Sequence, residues 1–255
     1  MTVKTRILWL IASLLVGVVW VWLWARASEA QLLPRAVLPG PDRVWAALRR
    51  GFANGTLPDL MGETTLRMLI GWLLASVLGI VLGCAIGMSP LLRRIVSPTL
   101  EMLRPIPAAA LLPVGIAFFG LTETMVLTCI AIAAGWPTLL ASVHGFSSIE
   151  PRLREVSQVL GLSRLATFWK ISLPSALPDI FAATRLSLTI ALIVACLAEW
   201  MVSKPGLGHH IFYSSENFRA ADVFSGIVLI CVIALVSAAV LGLIERRLMS
   251  WNVKR

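Results

Sequence analysis

Runs of about twenty apolar residues recur along this 255-residue chain, and they limit its fold more than any motif does. The cleanest cover 7–25, 68–92, 124–149 and 223–244. Two more are interrupted: 105–122 holds Pro105, Pro107 and Pro113, and 180–198 holds Arg185 near its start. Apolar residues make up 58% of the chain and charged residues 14%, with a mean hydropathy of +0.87; soluble domains are not built this way. The pattern predicts an all-α membrane protein with six transmembrane helices. The third span is expected to be short, kinked or partly re-entrant, because broken backbone at membrane depth survives only where protein buries it.

Lys4, Arg6 and the small-x-small triplet Ala25-Arg26-Ala27 also fit a secretory leader. The apolar stretch exceeds a leader core of roughly 7–15 residues. Trp20, Trp22 and Trp24, clustered at one end, suit an interfacial belt. An uncleaved first helix is the reading taken.

Lys and Arg placement gives orientation. With the N-terminus in the cytosol, thirteen basic residues fall inside (Arg93, Arg94, Arg152 and Arg154 among them) and seven outside. The asymmetry predicts that both termini are cytosolic. Segment 26–65 is the outer stretch that runs against the rule, with five Arg of its own. Its prolines predict an extended start, and Val44-Trp45-Ala46-Ala47-Leu48 predicts a short amphipathic helix lying on the surface. The net charge of +9 is thereby a topology signal, and nucleic-acid binding is excluded.

Cys84, Cys129, Cys196 and Cys231 fall in apolar spans without CxxC spacing and read as small hydrophobes. The pair His209-His210 lacks acidic or Cys companions, so no metal site is expected. No phosphate-binding loop, nucleophile elbow, His-Glu-x-x-His or GxGxxG opening a helix is present. The chain carries no catalytic residues and binds no cofactor of its own. Any ATP that drives it must be held by another chain.

In the second span Gly71, Ala75, Gly79, Gly83 and Gly87 recur every four residues. Lipid gives no hydrophobic reward for helix association, so such a small-residue stripe serves close packing. The partner is another helix of this chain or a second copy of it.

A polar island at 151–174 interrupts this apolar pattern. Pro151 suits the first position of a helix. Leu153, Val156 and Leu160 lie on one face, with Arg152, Arg154, Glu155 and Gln158 on the others, and Gly161 ends the helix. Ser163 can cap a second helix carrying Leu165, Phe168 and Trp169, which Pro174 and Pro178 are expected to stop. Periodicity leaves two roles open: a helix laid in a partner's groove, or one resting on the inner leaflet.

The island runs from Glu155 through Gly161 to Ile171-Ser172-Leu173-Pro174, and resembles the EAA loop of ATP-binding-cassette importer permeases. Other fragments, in order, are similar to the nitrate/sulfonate/taurine branch: Thr65-Leu66-Arg67 with Gly71-Trp72-Leu73; Leu103-Arg104-Pro105-Ile106-Pro107; Phe119-Gly120-Leu121-Thr122-Glu123; Ala198-Glu199-Trp200 with Gly206-Leu207-Gly208; and Leu243-Ile244-Glu245-Arg246-Arg247. The match covers roughly 38–251, leaving 1–37 as first helix and outer segment and 252–255 as a cytosolic tail. Val156-Ser157 replaces the usual two alanines.

The resemblance implies a type I importer permease of the MetI-like fold in the bacterial inner membrane. It implies a homodimer of permeases, two ATPase subunits holding ATP and Mg, and an extracytoplasmic solute-binding protein. The coupling residues it implies are Leu153, Arg154, Glu155, Val156, Ser157, Leu160, Gly161, Ser163, Ile171, Leu173 and Pro174. Arg104, Arg185 and Glu199 are candidates for the solute pathway, since charge near span ends is often functional, although snorkelling or local pairing, as of Glu101 with Arg104, accounts for such charge as well; Phe119 is a fourth candidate. Small organic anions such as sulfonates and taurine, or nitrate, are the expected solutes. The rival reading is a secondary transporter driven by an ion gradient, which predicts matched halves with paired broken helices; the halves here do not align.

Overall fold

The computed structural model describes residues 3–31, 34 and 37–249. The side chains of Lys4, Arg6 and Arg154 lie outside the described residues, as do Arg35 and the expected 252–255 tail with Lys254 and Arg255. The described chain is helical, without strands: α1 (Val3–Glu29), α2 (Pro41–Ala53), α3 (Thr56–Met88), α4 (Pro90–Leu103), α5 (Leu111–Phe119), α6 (Glu123–Ser147), α7 (Pro151–Val159), α8 (Arg164–Thr167), α9 (Leu173–Met201), α10 (Leu207–Glu216) and α11 (Ala220–Leu248).

Four stretches are long and apolar enough to cross a membrane: α3, α6, the run Arg164–Met201, and α11. A fifth is broken. α4 meets the segment Ala108–Phe119 at 87° across Arg104–Pro107, where the prolines withhold backbone donors. This is the kinked third span. α1 is the remaining long apolar helix, joined to the rest near its C-terminal end: the Trp24 indole donates to the Pro39 carbonyl at 2.9 Å and stacks on Phe224.

The core is α3 laid on α6, with α9 closing the third side. The small-residue stripe makes the first contact possible. A Cβ on Gly79 would stand 3.1 Å from the Gly135 carbonyl, and one on Gly87 would stand 2.8 Å from that of Val143. The stripe therefore packs within one chain. Its opposite face, Leu73, Val77 and Val81, stays exposed as a lipid-facing surface should. α11 buries one side only, through Ser225, Gly226, Leu229, Ile233 and Leu241.

One expectation fails. Pro174 and Pro178 do not stop the second island helix; it continues through a π-helical turn, Phe168–Ser172, into α9. Pro174 directly follows the π turn and has no N–H to donate back into it. The wider π turn before it takes up the misfit at the ring. The second island helix and the fifth span are thus one continuous 38-residue helix.

Candidate functional site

The island stands clear of the bundle. Pro151 opens α7, and Leu153, Val156 and Leu160, together with Val159, are exposed along its side. Glu155 and Gln158 are exposed too, while Ser157 is buried. This apolar stripe is left uncovered by its own chain. α7 ends in a Schellman turn: Gly161 N–H donates to Gln158 and Leu162 N–H to Ser157, at 3.0 Å each, with Gly161 at φ +62. Ser163 then caps α8, its Oγ accepting from the Ala166 N–H at 3.2 Å. Both sequence-predicted punctuation residues act as expected. Ile171, Leu173 and Pro174 sit half-buried in and just after the π turn. There Phe168 stacks on the buried Phe146 of α6, in a cluster with Ala176 and Ile180. The island is keyed into the bundle at this point.

Above the island lies a cavity of about 950 Å³ between α4, α6 and α9. Ile132 to His144 of α6 and Asp179 to Ile190 of α9 form two walls, and the Glu101–Ala108 break forms the third. Its lining is mostly apolar, but Glu101, Arg104, His144 and Asp179 bring charge of both signs. Arg104 and Glu101 pair loosely at 3.6 Å and are both well exposed. The cavity occupies the island half of the bundle.

At the opposite end a charge cluster closes the bundle. Arg67 of α3 is nearly buried and donates from Nε to Glu123 (2.6 Å), and from its two terminal nitrogens to Glu63 (2.9 Å) and Glu199 (3.1 Å). It also donates to the Pro205 carbonyl. Glu199 has no exposed surface; its second oxygen accepts from Thr64 Oγ1 and from the Gly208 N–H, at 3.0 Å each. Thr64 in turn accepts from the Leu207 N–H at 2.8 Å. The carboxylate thereby sits at the amino end of α10, where free N–H groups and the helix dipole favour an anion. A side chain at Gly206 would collide with that carboxylate, and one at Gly208 with the backbone of Cys196. Three of the motif fragments, around Arg67, Glu123 and Glu199–Gly208, meet here to tie α3, α6, α9 and α10 together.

The four pathway candidates scatter. Arg104 lines the cavity. Glu199 is consumed by the cluster. Arg185 pairs with Glu245 of α11 at 2.5 Å, and Phe119 ends α5 partly exposed. Arg67, quoted only as part of the fragment Thr65-Leu66-Arg67, received no role in the sequence because it falls one residue before the expected span 68–92. Its partners lie up to 138 residues away. No group of three metal-ligating side chains occurs among the described residues.

The sequence profile of the binding-protein-dependent transport system inner membrane component matches residues 75–250. The chain belongs to this family. It is the membrane-embedded, non-enzymatic permease of an importer, and a multi-pass membrane protein. It is 32% identical to the taurine transport system permease TauC of Escherichia coli K12, over 90% of this chain and 85% of that one. It is 29% identical to the putative aliphatic sulfonates transport permease SsuC of Bacillus subtilis, over 98% and 90%. Among solved structures it is similar to a chain of the inward-facing MetNI methionine transporter, with a TM-score of 0.68 at 19% identity, over 76% of this chain and 97% of that one. A chain of an amino acid ABC transporter gives a TM-score of 0.60 at 18% identity, over 78% and 97%. These place the fold in the MetI-like class. A permease of this family works with an ATPase and a solute-binding protein.

Proposed function

We propose that this permease imports a small organic anion, a sulfonate such as taurine, as one of two identical copies around a shared pathway. The relatives named for taurine and aliphatic sulfonates support the solute class. Two ATPase subunits, holding ATP and Mg, would grip the two islands through Leu153, Val156 and Leu160, with Glu155 beside them. The binding protein would deliver solute at the Glu199 end. The importer unit is 38–251, with the first helix before it and a cytosolic tail after it, and both termini in the cytosol.

The observation that carries this reading is the island: an exposed apolar stripe on α7, turned at Gly161 and continuous through α8 and the π turn with a membrane span. A helix merely resting on lipid has no need of a continuous connection to the fifth span. The cavity is then the inner part of the solute path, with Arg104 available to an anionic group, and the Arg67 cluster holds the outer end shut.

ATP-loaded proteoliposomes containing permease, ATPase and external loaded binding protein should accumulate labelled solute without an ion gradient. Uptake by the permease alone on a proton or sodium gradient would overturn the reading. Reporter fusions after Ser163 and Glu216 should read cytosolic and extracytoplasmic; the reverse would refute the orientation.

A further inference from the structure

We propose that the groove between α2 and the start of α11, formed by Arg43, Arg50, Phe218 and Arg219, receives acidic side chains of the extracytoplasmic binding protein. The inference rests on the importer reading above and assigns one of its contacts to a particular surface.

Helical geometry divides α2 into two flanks. Arg43 and Arg50 are seven residues apart and share one side, since each residue advances about 100°. Trp45 and Phe52 are also seven apart and share the other, 64% and 48% exposed. Between the flanks, Val44 and Ala47 are buried against the bundle. Exposed aromatic side chains at a helix that skirts a bundle mark the lipid interface. The basic flank, on the far side of the buried ridge, therefore faces extracytoplasmic water.

The groove on that flank encloses about 430 Å³. It holds three guanidinium groups and a single carboxylate, Asp222, already paired with Arg219 at 2.5 Å. Arg43 and Arg50 have no carboxylate partner among the described residues. Guanidinium forks match carboxylates in bidentate geometry, and a surplus of them calls for an acidic partner.

Phe218 supplies the second observation. It occupies the turn position after α10 at φ +54, where Arg219 N–H donates to Ser214 at 2.8 Å and Phe218 N–H to Ser215 at 3.1 Å. Glycine takes this left-handed position without strain, and a bulky aromatic does not. The ring gains nothing from packing in return, being 80% exposed beside the arginines. Strain kept at an exposed aromatic points to use in recognition, and aromatic and Arg side chains together are typical interface anchors.

The test titrates loaded binding protein against the permease–ATPase complex in phosphatidylcholine nanodiscs, reading stimulated ATP hydrolysis. Arg43→Glu with Arg50→Glu should raise the half-maximal concentration about tenfold or more. Phe218→Gly, which relaxes the backbone while removing the ring, should raise it severalfold. Arg49→Glu makes the same charge change on the exposed crest of α2 and should stay within about twofold of wild type. Co-elution with the ATPase verifies folding of each variant. Wild-type behaviour of the double variant, or an equal effect of Arg49→Glu, would overturn the proposal. A defect that appears only when phosphatidylglycerol is added would assign the groove to a lipid headgroup and overturn it too. Failure of the wild type to respond at all would instead sink the importer reading and the inference with it.

Discussion

Phe146 of α6 and Phe168 of the π turn stack with ring centroids 6.0 Å apart and planes 11° from parallel. Phe146 is 1% exposed, and Phe168 and Trp169 form a T-shaped pair with ring centroids 5.3 Å apart. The stack joins the island to the span that lines the cavity, so displacement of one is passed to the other through packed rings.

Phe168→Ala should leave the ATPase bound but loosen this joint. Expected is a fall in solute transported per ATP hydrolysed, with a loss of stability of about 3 kcal/mol or less, since the site is only half-buried. Phe168→Leu should recover much of the ratio. Parallel uptake and hydrolysis measurements check this; an unchanged ratio in Phe168→Ala would remove the joint from the mechanism.

Gly161→Val places a β-branched residue at φ +62, at a cost of about 1–2 kcal/mol. No atom crowds the site, so the cost is one of backbone alone. The α7–α8 turn should open, and ATPase recovered with tagged permease should drop while bundle melting is unaltered. Glu155→Lys should act similarly through charge. Normal recovery and uptake in both would reduce the island to a surface helix.

Arg67→Met leaves Glu199 buried without its cation, which should cost about 3–5 kcal/mol. Glu199→Gln, which keeps the shape and removes the charge, should cost less. Thermal unfolding of the purified proteins in detergent separates the two; equal losses would mean that shape, not charge, matters at this site.

His210 is partly buried in α10, and burial lowers its pKa against the opposing pull of Asp222, with Arg219 and His209 adding to the lowering. The folded state therefore prefers the neutral ring. Stability from this source is complete above the unfolded value of about 6.5 and is lost as pH falls through the lower folded value. Melting temperature should decline between pH 7.5 and 5.5, and less so in His210→Gln. Equal declines in the two proteins would clear His210 of any part.

Much of the architecture was legible because it follows from one-dimensional rules. Apolar runs located the spans, the proline density of 105–122 forecast the 87° break, and Gly161 and Ser163 marked the island turn. The amphipathic α2 was visible in Val44–Leu48. What escaped was long-range or compensatory. Nothing local to Arg67 says that Glu123 and Glu199 converge on it. Pro174 and Pro178 look like terminators, because a π turn that accommodates them leaves no residue-type signature. Arg185, chosen for its position near a span end, and Phe119 gave no clue to their neighbours.

The small-residue stripe predicts its own sensitivity. Gly87→Val would drive a branched side chain into the backbone of Val143 and the Cβ of Phe146, which cannot withdraw. Expected is a loss of about 1–3 kcal/mol or a failure to insert stably, read by protease resistance in membranes. Gly62→Val on the same helix meets no neighbour and should be tolerated sterically.

The unbroken run from Arg164 to Met201 has a dimensional consequence. Thirty-eight helical residues span about 57 Å, against a hydrocarbon layer of about 30 Å. Much of the shaft must therefore project beyond the lipid tails, where the ATPase grip proposed above would act on a crank already outside the bilayer. A swing of about 5° around the midpoint carries each tip by roughly 2.5 Å, simply from that length. Gearing of this kind needs no local melting or helix sliding: a small rotation applied at Ser163 reaches Glu199 as a change of angle in one piece of backbone.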